Sequence, residues 1–181
     1  MTMTPKAPCD ALPETHFSHF AAEDMPQLQT LLTTAADIFG TVQEASQIPA
    51  ELATVEKLQQ LSRYAIGVQK TNDGQIVAWC TVFPTTISLM HRFLDGAISE
   101  RSLFDQTTAG DVGAVYVMSV YIFPELRGVV SPERLLKNTV GPFLGLPAPI
   151  FYRGVTEQGA RLGALLQKKL DRRGYQILRC E

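Results

Sequence analysis

The stretch AVYVMSVYIFPELRGVVSPERLL, residues 114–136, decides the fold. It opens with an apolar run from Val115 to Phe123, rich in β-branched and aromatic residues, which is typical of a central strand buried on both faces. Pro124 ends this run. Further on, Ser131-Pro132-Glu133 combines a residue suited to an N-cap, Pro at the first helical position and Glu in the first turn, which predicts the start of a helix. The stretch therefore predicts a strand, a short loop and a helix.

The loop of this unit has a distinctive sequence. A strand, a tight turn and a helix start direct free N–H groups and a helix dipole at one point, which favours phosphate. Residues 124–128, PELRG, resemble the P-x-x-R-G that opens the acetyl-coenzyme A pyrophosphate loop of the GNAT superfamily of acyltransferases. In that family the pattern continues as R-G-x-G-x-G/A and an apolar helix. Here Val130 and Pro132 replace both later glycines, so the loop is degenerate: one adds a β-branched side chain and the other lacks an N–H.

A second junction points to the same superfamily. Residues 24–28, DMPQL, resemble the GNAT passage from the first strand to the first helix, with an acidic residue, a spacer, Pro and Leu. The resemblance spans about residues 17–179. It implies an α/β (α+β) chain with the GNAT-type acyl-CoA N-acyltransferase fold, in which helices flank both faces of a mixed, mostly antiparallel central sheet.

Composition sets the class of protein. The 181 residues fit one domain, with a predicted N-terminal tail at 1–15 and an acyltransferase domain at 16–181. A net charge of −2 without a basic stripe argues against nucleic acid as a partner. We expect no membrane partner, since no apolar run reaches the length of a membrane span and the N-terminus lacks a signal-peptide core. Three widely spaced cysteines and three histidines argue against disulfides and metal, and favour the cytoplasm.

The remaining elements follow from periodicity and from turn residues. Asp24 is the predicted N-cap of a first helix that ends at Gly40, and Pro84 is the predicted end of a strand. Around these lie a helix at 49–64, a hairpin of strands 65–70 and 75–83, two short helices at 87–106, a strand at 150–155, a helix at 157–173 and a strand at 176–179. Many GNAT chains lack the helical segment at 87–106. An insertion there would lie where the family holds its acceptors, so we interpret it as an acceptor lid.

The resemblance assigns a cofactor site residue by residue. The backbone of Val120, Tyr121 and Ile122 would face acetyl-coenzyme A, and its pyrophosphate would lie against the loop of Arg127, Gly128, Val129, Val130 and Ser131. Thr156 falls near the position where the family often contacts the cofactor arm, although a helix N-cap there is an equal alternative. The alternative for the loop is a plain tight turn that leads into a helix.

The acid–base residues are harder to assign. Many GNAT members carry a Glu on the fourth strand, but residues 116–123 contain no carboxylate. Leu170 holds the place of the tyrosine that often protonates the leaving thiolate. The candidate catalytic residues are therefore the strand tyrosines Tyr116, Tyr121 and Tyr152, each of which has packing as its alternative role. Cys80 is a further candidate nucleophile, against the ordinary role of a buried strand cysteine.

These patterns predict an N-acetyltransferase that moves an acetyl group from acetyl-coenzyme A, without a metal, to the amine of a small molecule or peptide. The alternative is a GNAT-fold binding or regulatory protein that has lost acetyl-coenzyme A catalysis, because two glycines of the loop are replaced. The oligomeric state stays open, with a homodimer as one option.

Overall fold

The computed structural model describes residues 13–40, 44–111, 113–143, 148–154, 157–170 and 177–180. Its sheet has six strands in the order of the chain: β1 (Thr15–His19), β2 (Ile66–Thr71), β3 (Ile76–Thr85), β4 (Ala114–Ile122), β5 (Ile150–Arg153) and β6 (Ile177–Cys180). The pairs from β1 to β4 are antiparallel, while β4 with β5 and β5 with β6 are parallel. The predicted mixed sheet is confirmed.

Six α-helices flank this sheet in the described residues. They are α1 (Leu28–Phe39), α2 (Leu52–Leu61), α3 (Ile87–Leu94), α4 (Glu100–Gln106), α5 (Pro132–Val140) and α6 (Glu157–Leu170). One buried cluster joins residues of α2, α3 and α4 to one face of the sheet, and a second joins residues of α5 to the other face. Helices thus cover both faces, as predicted.

The strand–loop–helix unit folds as its sequence predicts. A 3₁₀ turn at Pro124–Leu126 follows β4, and Gly128 adopts a positive φ of 94°, which glycine adopts without strain. Ser131 caps α5, since its Oγ accepts a hydrogen bond from the Arg134 N–H at 3.2 Å, and Pro132 is the first helical residue. Along β4, however, only residues 114–116 are buried and residues 117–122 are half-buried. The second half of the central strand therefore faces open space.

The predicted N-cap at Asp24 is wrong in its detail. A 3₁₀ helix at Ala22–Gln27 precedes α1, and Asp24 lies inside it. One carboxylate oxygen of Asp24 accepts the N–H of Ala21 at 2.9 Å, and the other lies 2.6 Å from the Nζ of Lys70 on β2. Pro26 is compatible with an early helical position, so the chain begins a tighter helix one turn sooner than predicted.

The prediction that Pro84 ends β3 is also wrong. Pro84 pairs with Val115, and β3 continues to Thr85. The O atom of Thr85 accepts the N–H of Gly113, so the backbone of Pro84 points away from β4, where β2 has already ended. A proline is tolerated there because the missing N–H would have had no strand to bond.

The hairpin and the paired short helices agree with the sequence. Thr71 donates its N–H to the O of Gln75 across a turn in which Gly74 has a φ of 87°. Helices α3 and α4 are separated by a turn at Gly96, whose φ is 71°. No helix in the described ranges is both long and apolar enough to span a membrane.

Candidate functional site

The two parallel strands β4 and β5 separate at their carboxyl ends. They pair only from Val115 with Ile150 to Val117 with Tyr152, and β5 ends at Arg153 while β4 continues to Ile122. Among the residues that the structure describes, the second half of β4 therefore has no strand neighbour on this side. Ligands in sheets with parallel strands bind beyond the carboxyl ends of those strands, where neighbouring strands diverge.

A β-bulge marks the point of separation. Thr81 pairs with Ser119 and Val82 with Val117, so Met118 has no partner on β3. The extra residue shifts the alternation of side chains, and Val117 and Val120 consequently contact the same core cluster, on the α5 side. Sequence periodicity alone does not show this shift.

The bulge also determines which backbone groups face the gap. The N–H of Phe123 donates to the O of Val77 at 3.1 Å, which directs the backbone of Phe123, and of Tyr121 two residues earlier, toward β3. The backbones of Val120 and Ile122 consequently point the other way, into the gap. The assignment of these residues to a cofactor stays a prediction, and the backbone of Tyr121, which was assigned with them, is directed at β3 instead.

A cavity of about 500 Å³, here called the main cavity, fills this gap. Its walls come from the end of α1, β4, the loop after β4, α5, β5 and α6. The lining residues are Ile38, Phe39, Val117, Met118, Ser119, Val120, Tyr121, Ile122, Arg127, Gly128, Val130, Pro132, Leu136, Tyr152, Arg153, Gly159, Leu162 and Gly163. A cavity of this size lies within the range of small-molecule and cofactor sites.

The loop after β4 closes one end of the main cavity. Arg127 is exposed there, and its Nε donates a long hydrogen bond of 3.5 Å to the O of Ile122. Gly128 lies beside it in the cavity wall. Thus two residues of the resemblance, the Arg and the first Gly, occupy the cavity mouth together with the capped start of α5, where an anion is favoured.

In the rest of the loop, several N–H groups are already hydrogen-bonded. The N–H groups of Arg127, Val129 and Val130 donate to carbonyls within the turn, at 3.2, 3.1 and 3.0 Å. Val130 is buried in the α5-side core, while Ser131 is exposed and caps α5. Pro132 has no N–H to donate, and the N–H groups of three loop residues are already bonded within the loop.

Two of the three candidate tyrosines line the main cavity. Tyr121 packs its ring against Trp79 with the centroids 4.6 Å apart. Tyr152 lies over Gly163 of α6, where a Cβ would come closer than 3.0 Å to its ring and hydroxyl oxygen. The absence of a side chain at Gly163 therefore leaves room for the Tyr152 ring, a role that no pattern in the sequence indicated.

Tyr116 lies elsewhere. It is buried among the rings of Phe83, Phe93 and Phe151, and its hydroxyl donates to the Oε1 of Glu100 at 2.7 Å. It lines neither the main cavity nor the smaller one beside it. The remaining site candidate, Thr156, lies outside the described residues.

A smaller cavity of about 70 Å³, here called the side pocket, adjoins the main cavity. Glu100, from the inserted helix α4, is one of its walls and is only 8% exposed. Burial raises the pKa of Glu100, against the opposing effects of the Tyr116 hydrogen bond and the positive charge of Arg153. The resemblance predicted an acceptor lid in the segment that contains α4, and the sequence did not single out this carboxylate.

Cys80 is a buried cysteine with an unreactive thiol. It is completely buried in β3, and burial raises the pKa of its thiol to about 12, although the side-chain hydrogen bond between Cys80 and Thr139 works in the other direction. A thiol with that pKa is protonated at neutral pH and is a poor nucleophile. In the described ranges, no three His, Cys, Asp or Glu residues come together in a group that could hold a metal ion.

Comparison with solved structures relates this architecture to known proteins. An aminoglycoside acetyltransferase from an uncultured soil metagenomic sample, solved in complex with trehalose, gives a TM-score of 0.53 at 13% identity, over 86% of this chain and 87% of its own. A ribosomal-protein-alanine N-acetyltransferase from Brucella melitensis biovar Abortus 2308 gives a TM-score of 0.51 at 13% identity, over 84% of this chain and 90% of its own. A structure described as histone acetyltransferase HPA2 and related acetyltransferase, from Corynebacterium glutamicum ATCC 13032, gives a TM-score of 0.51 at 19% identity, over 84% of this chain and 83% of its own.

No protein-family model and no curated protein matches the sequence. The three structures are acetyltransferases, and this chain shares their fold over more than four-fifths of its length. The GNAT-type fold predicted from residues 114–136 is thereby confirmed, while the identities of 13–19% leave activity to be argued from the site.

Proposed function

We propose that this protein is an N-acetyltransferase that transfers an acetyl group from acetyl-coenzyme A to the amine of a small molecule or peptide. The observation that carries the proposal is the main cavity, which opens where β4 separates from β5 and extends to Arg127 and Gly128 at the start of α5. Acyl transfer needs a thioester held in place beside an incoming amine, and this gap provides a long, partly apolar site for one.

Each wall of the main cavity has a role in this proposal. The backbones of Val120 and Ile122 supply hydrogen-bonding groups for the thioester and its arm, because neither is directed at β3. Arg127 and the start of α5 would meet the pyrophosphate. Tyr121 or Tyr152 would protonate the leaving thiolate.

The degenerate loop supports a second candidate, a GNAT-fold binding or regulatory protein without acetyl-coenzyme A catalysis. The specific observation is the set of loop amides of Arg127, Val129 and Val130, which are bonded within the turn. An anion at this loop would then depend on few N–H groups and on the charge of Arg127.

Calorimetric titration of the purified protein with acetyl-coenzyme A and with free coenzyme A tests the proposal. We expect micromolar binding of both ligands, and a loss of at least tenfold in affinity for Arg127→Glu because the guanidinium would be replaced by a like charge beside the pyrophosphate. Arg63→Glu is the matched control. Arg63 is exposed and contacts Tyr64, whose ring lies against His19 of the edge strand β1, at the opposite edge of the sheet from the β4–β5 gap.

The outcomes separate the two candidates. Binding that Arg127→Glu weakens and Arg63→Glu leaves unchanged supports a cofactor on this loop. Equal weakening by both variants indicates a general charge effect and refutes the loop assignment. If a folded sample binds neither ligand, the acetyltransferase proposal fails and the binding-protein candidate is favoured.

A further inference from the structure

Glu100 is a carboxylate held inside the protein at the wall of a cavity. It is the first residue of α4, directly after the N-cap Ser99, and only 8% of it is exposed. A buried carboxylate requires hydrogen-bond partners, and the hydroxyl of Tyr116 supplies one to Oε1 at 2.7 Å. Glu100 also lines the side pocket, so a small ligand in that pocket would lie beside this residue.

The side pocket is continuous with the site proposed for the thioester. Four residues line both cavities: Phe39, Met118, Ser119 and Arg153. Two of them, Met118 and Ser119, belong to the bulge of β4, the point at which the strand leaves β5. A ligand that fills the side pocket would therefore reach the main cavity at the bulge, one residue before the free backbone of Val120.

The surroundings of Glu100 strengthen it as a base, because they raise the pKa of its carboxyl. Burial raises the pKa of its carboxyl, which brings the group closer to the pH at which a base is most effective. In the described part of the chain, the titratable or charged groups that act on it are the hydroxyl of Tyr116 on β4 and the guanidinium of Arg153 on β5, and both lower the pKa. The net direction is nevertheless upward.

We propose that the side pocket receives the acceptor's amine and that Glu100 takes the proton from it. This inference rests on the proposed acetyltransferase function. The volume of about 70 Å³ has room for a terminal amine and the few carbon atoms behind it. Ala35, Phe39, Ile48 and Ala50 line it with apolar groups, so the acceptor class is a primary amine on a short alkyl arm.

The proton and electron balance of this step is complete. An alkylammonium gives one proton to the Glu100 carboxylate and becomes a neutral amine. Its lone pair then forms a C–N bond to the thioester carbonyl, and the C–S bond breaks when the tetrahedral intermediate collapses. The second amine proton leaves with the thiolate as a thiol, and Glu100 returns its own proton to water after the amide departs.

The competing explanation is that Glu100 only anchors Tyr116. The two roles differ in their pH dependence. If Glu100 is the base, the acidic limb of the pH profile of kcat/KM reports its pKa, and Tyr116→Phe moves that limb to higher pH, because a hydrogen bond that stabilises the carboxylate is lost. A purely structural glutamate produces no acidic limb that Tyr116→Phe can move.

Binding of n-butylamine to the cofactor-free protein tests the pocket directly. In protein labelled with ¹³C-methyl alanine, we expect n-butylamine to shift the methyl resonances of Ala35 and Ala50, which line the side pocket, and not that of Ala78 in the buried part of β3. If n-butylamine shifts neither pocket alanine, the pocket assignment is overturned.

Turnover of n-butylamine with acetyl-coenzyme A, followed by thiol release, tests the base. We expect Glu100→Gln to lower kcat by about a hundredfold or more and to remove the acidic limb. Calorimetric affinity for acetyl-coenzyme A should stay within twofold. Glu56→Gln, an exposed glutamate on α2, is the matched control and should retain full activity.

Failure of this inference and failure of the proposed function give different results. Absence of acetyl-coenzyme A binding to the wild-type protein refutes the proposed function. If both ligands bind and no thiol is released, catalysis itself fails and the binding-protein candidate is favoured. If n-butylamine is turned over and Glu100→Gln retains the wild-type kcat and pH profile, Glu100 is not the base.

Discussion

The contact between Tyr152 and Gly163 allows a quantitative test of how the site is built. Gly163 lies in α6 with the Tyr152 ring directly over its Cα, and a Cβ there would overlap the ring atoms Cε2 and Cζ and the hydroxyl oxygen. In a helix interior, replacing Gly by Ala normally stabilises by about 1 kcal/mol. Here the new methyl group must displace a side chain that is only 8% exposed, and overpacking of this kind costs about 1–3 kcal/mol.

The two effects predict that Gly163→Ala destabilises the wild-type protein but stabilises a variant that lacks the Tyr152 ring. In the wild-type background, Gly163→Ala should destabilise by between about 0 and 2 kcal/mol, since the loss from overpacking exceeds the gain in helix propensity. In a Tyr152→Val background, which keeps a strand-forming residue but removes the overlapping atoms, the same substitution should stabilise by about 1 kcal/mol. The coupling between the two sites is therefore about 1–3 kcal/mol.

Urea unfolding of the wild type, the two single variants and the double variant gives this coupling. Ala164→Gly at the adjacent, exposed helical position measures the propensity term within the same helix, and we expect a loss of about 1 kcal/mol. Equal stabilisation by Gly163→Ala in both backgrounds would refute the reasoning, because it would mean that the ring does not lie over this glycine.

Two shorter predictions concern the core. In a protein with Cys9 and Cys180 replaced by Ser, Cys80 should not react with iodoacetamide at pH 8 until urea unfolds the chain, since its thiol is buried and has a pKa of about 12; rapid labelling of the folded protein would contradict this. Lys70→Met should cost about 3–5 kcal/mol in urea unfolding, because it leaves the Asp24 carboxylate buried without its cation. Adding Asp24→Leu should restore part of that loss, and no recovery would count against the ion pair as the cause.

Local patterns predicted those elements whose geometry depends on adjacent residues. The turn of Gly128 and the cap of Ser131 use a positive φ and a side-chain hydrogen bond, both of which the residue types favour directly. Asp24 was misassigned because its carboxylate pairs with Lys70 on another strand, a partner about 46 residues away that no local rule includes. Pro84 was misassigned because the length of a neighbouring strand, and not the proline itself, decides whether its lost N–H matters.

Some residues of the main cavity were singled out by the sequence and others were missed. The resemblance named Arg127 and Gly128, and both residues line the main cavity; their role in cofactor binding stays a prediction. The bulge at Met118 could not be predicted, because residues 115–123 are apolar at almost every position, and a continuous apolar run shows no change of alternation when one residue is added. Glu100 was overlooked for a related reason: it is one of several charges in a helical insertion, and only the packing of that insertion against β4 buries it.

The buried carboxylate of Glu100 should lower the free energy of unfolding in a pH-dependent way. Because its pKa in the folded state is raised above the ordinary value of about 4.3, the folded state keeps the proton over a pH range in which the unfolded chain has lost it. Below that pH range Glu100 is protonated in both states and does not change the free energy of unfolding. As pH rises through it, the unfolded state gains, by about 1.4 kcal/mol for each unit by which the pKa is raised.

Glu100→Gln removes this penalty while keeping a side chain of similar size. The difference in unfolding free energy between Glu100→Gln and the wild type should therefore increase in favour of the variant from about pH 4 toward neutrality, as measured by urea unfolding at several pH values. Parallel curves would mean that the folded protein binds no extra proton at this position. A variant that is more stable at neutral pH and yet inactive would argue that the buried carboxylate is kept for chemistry, because packing and stability alone would favour the amide.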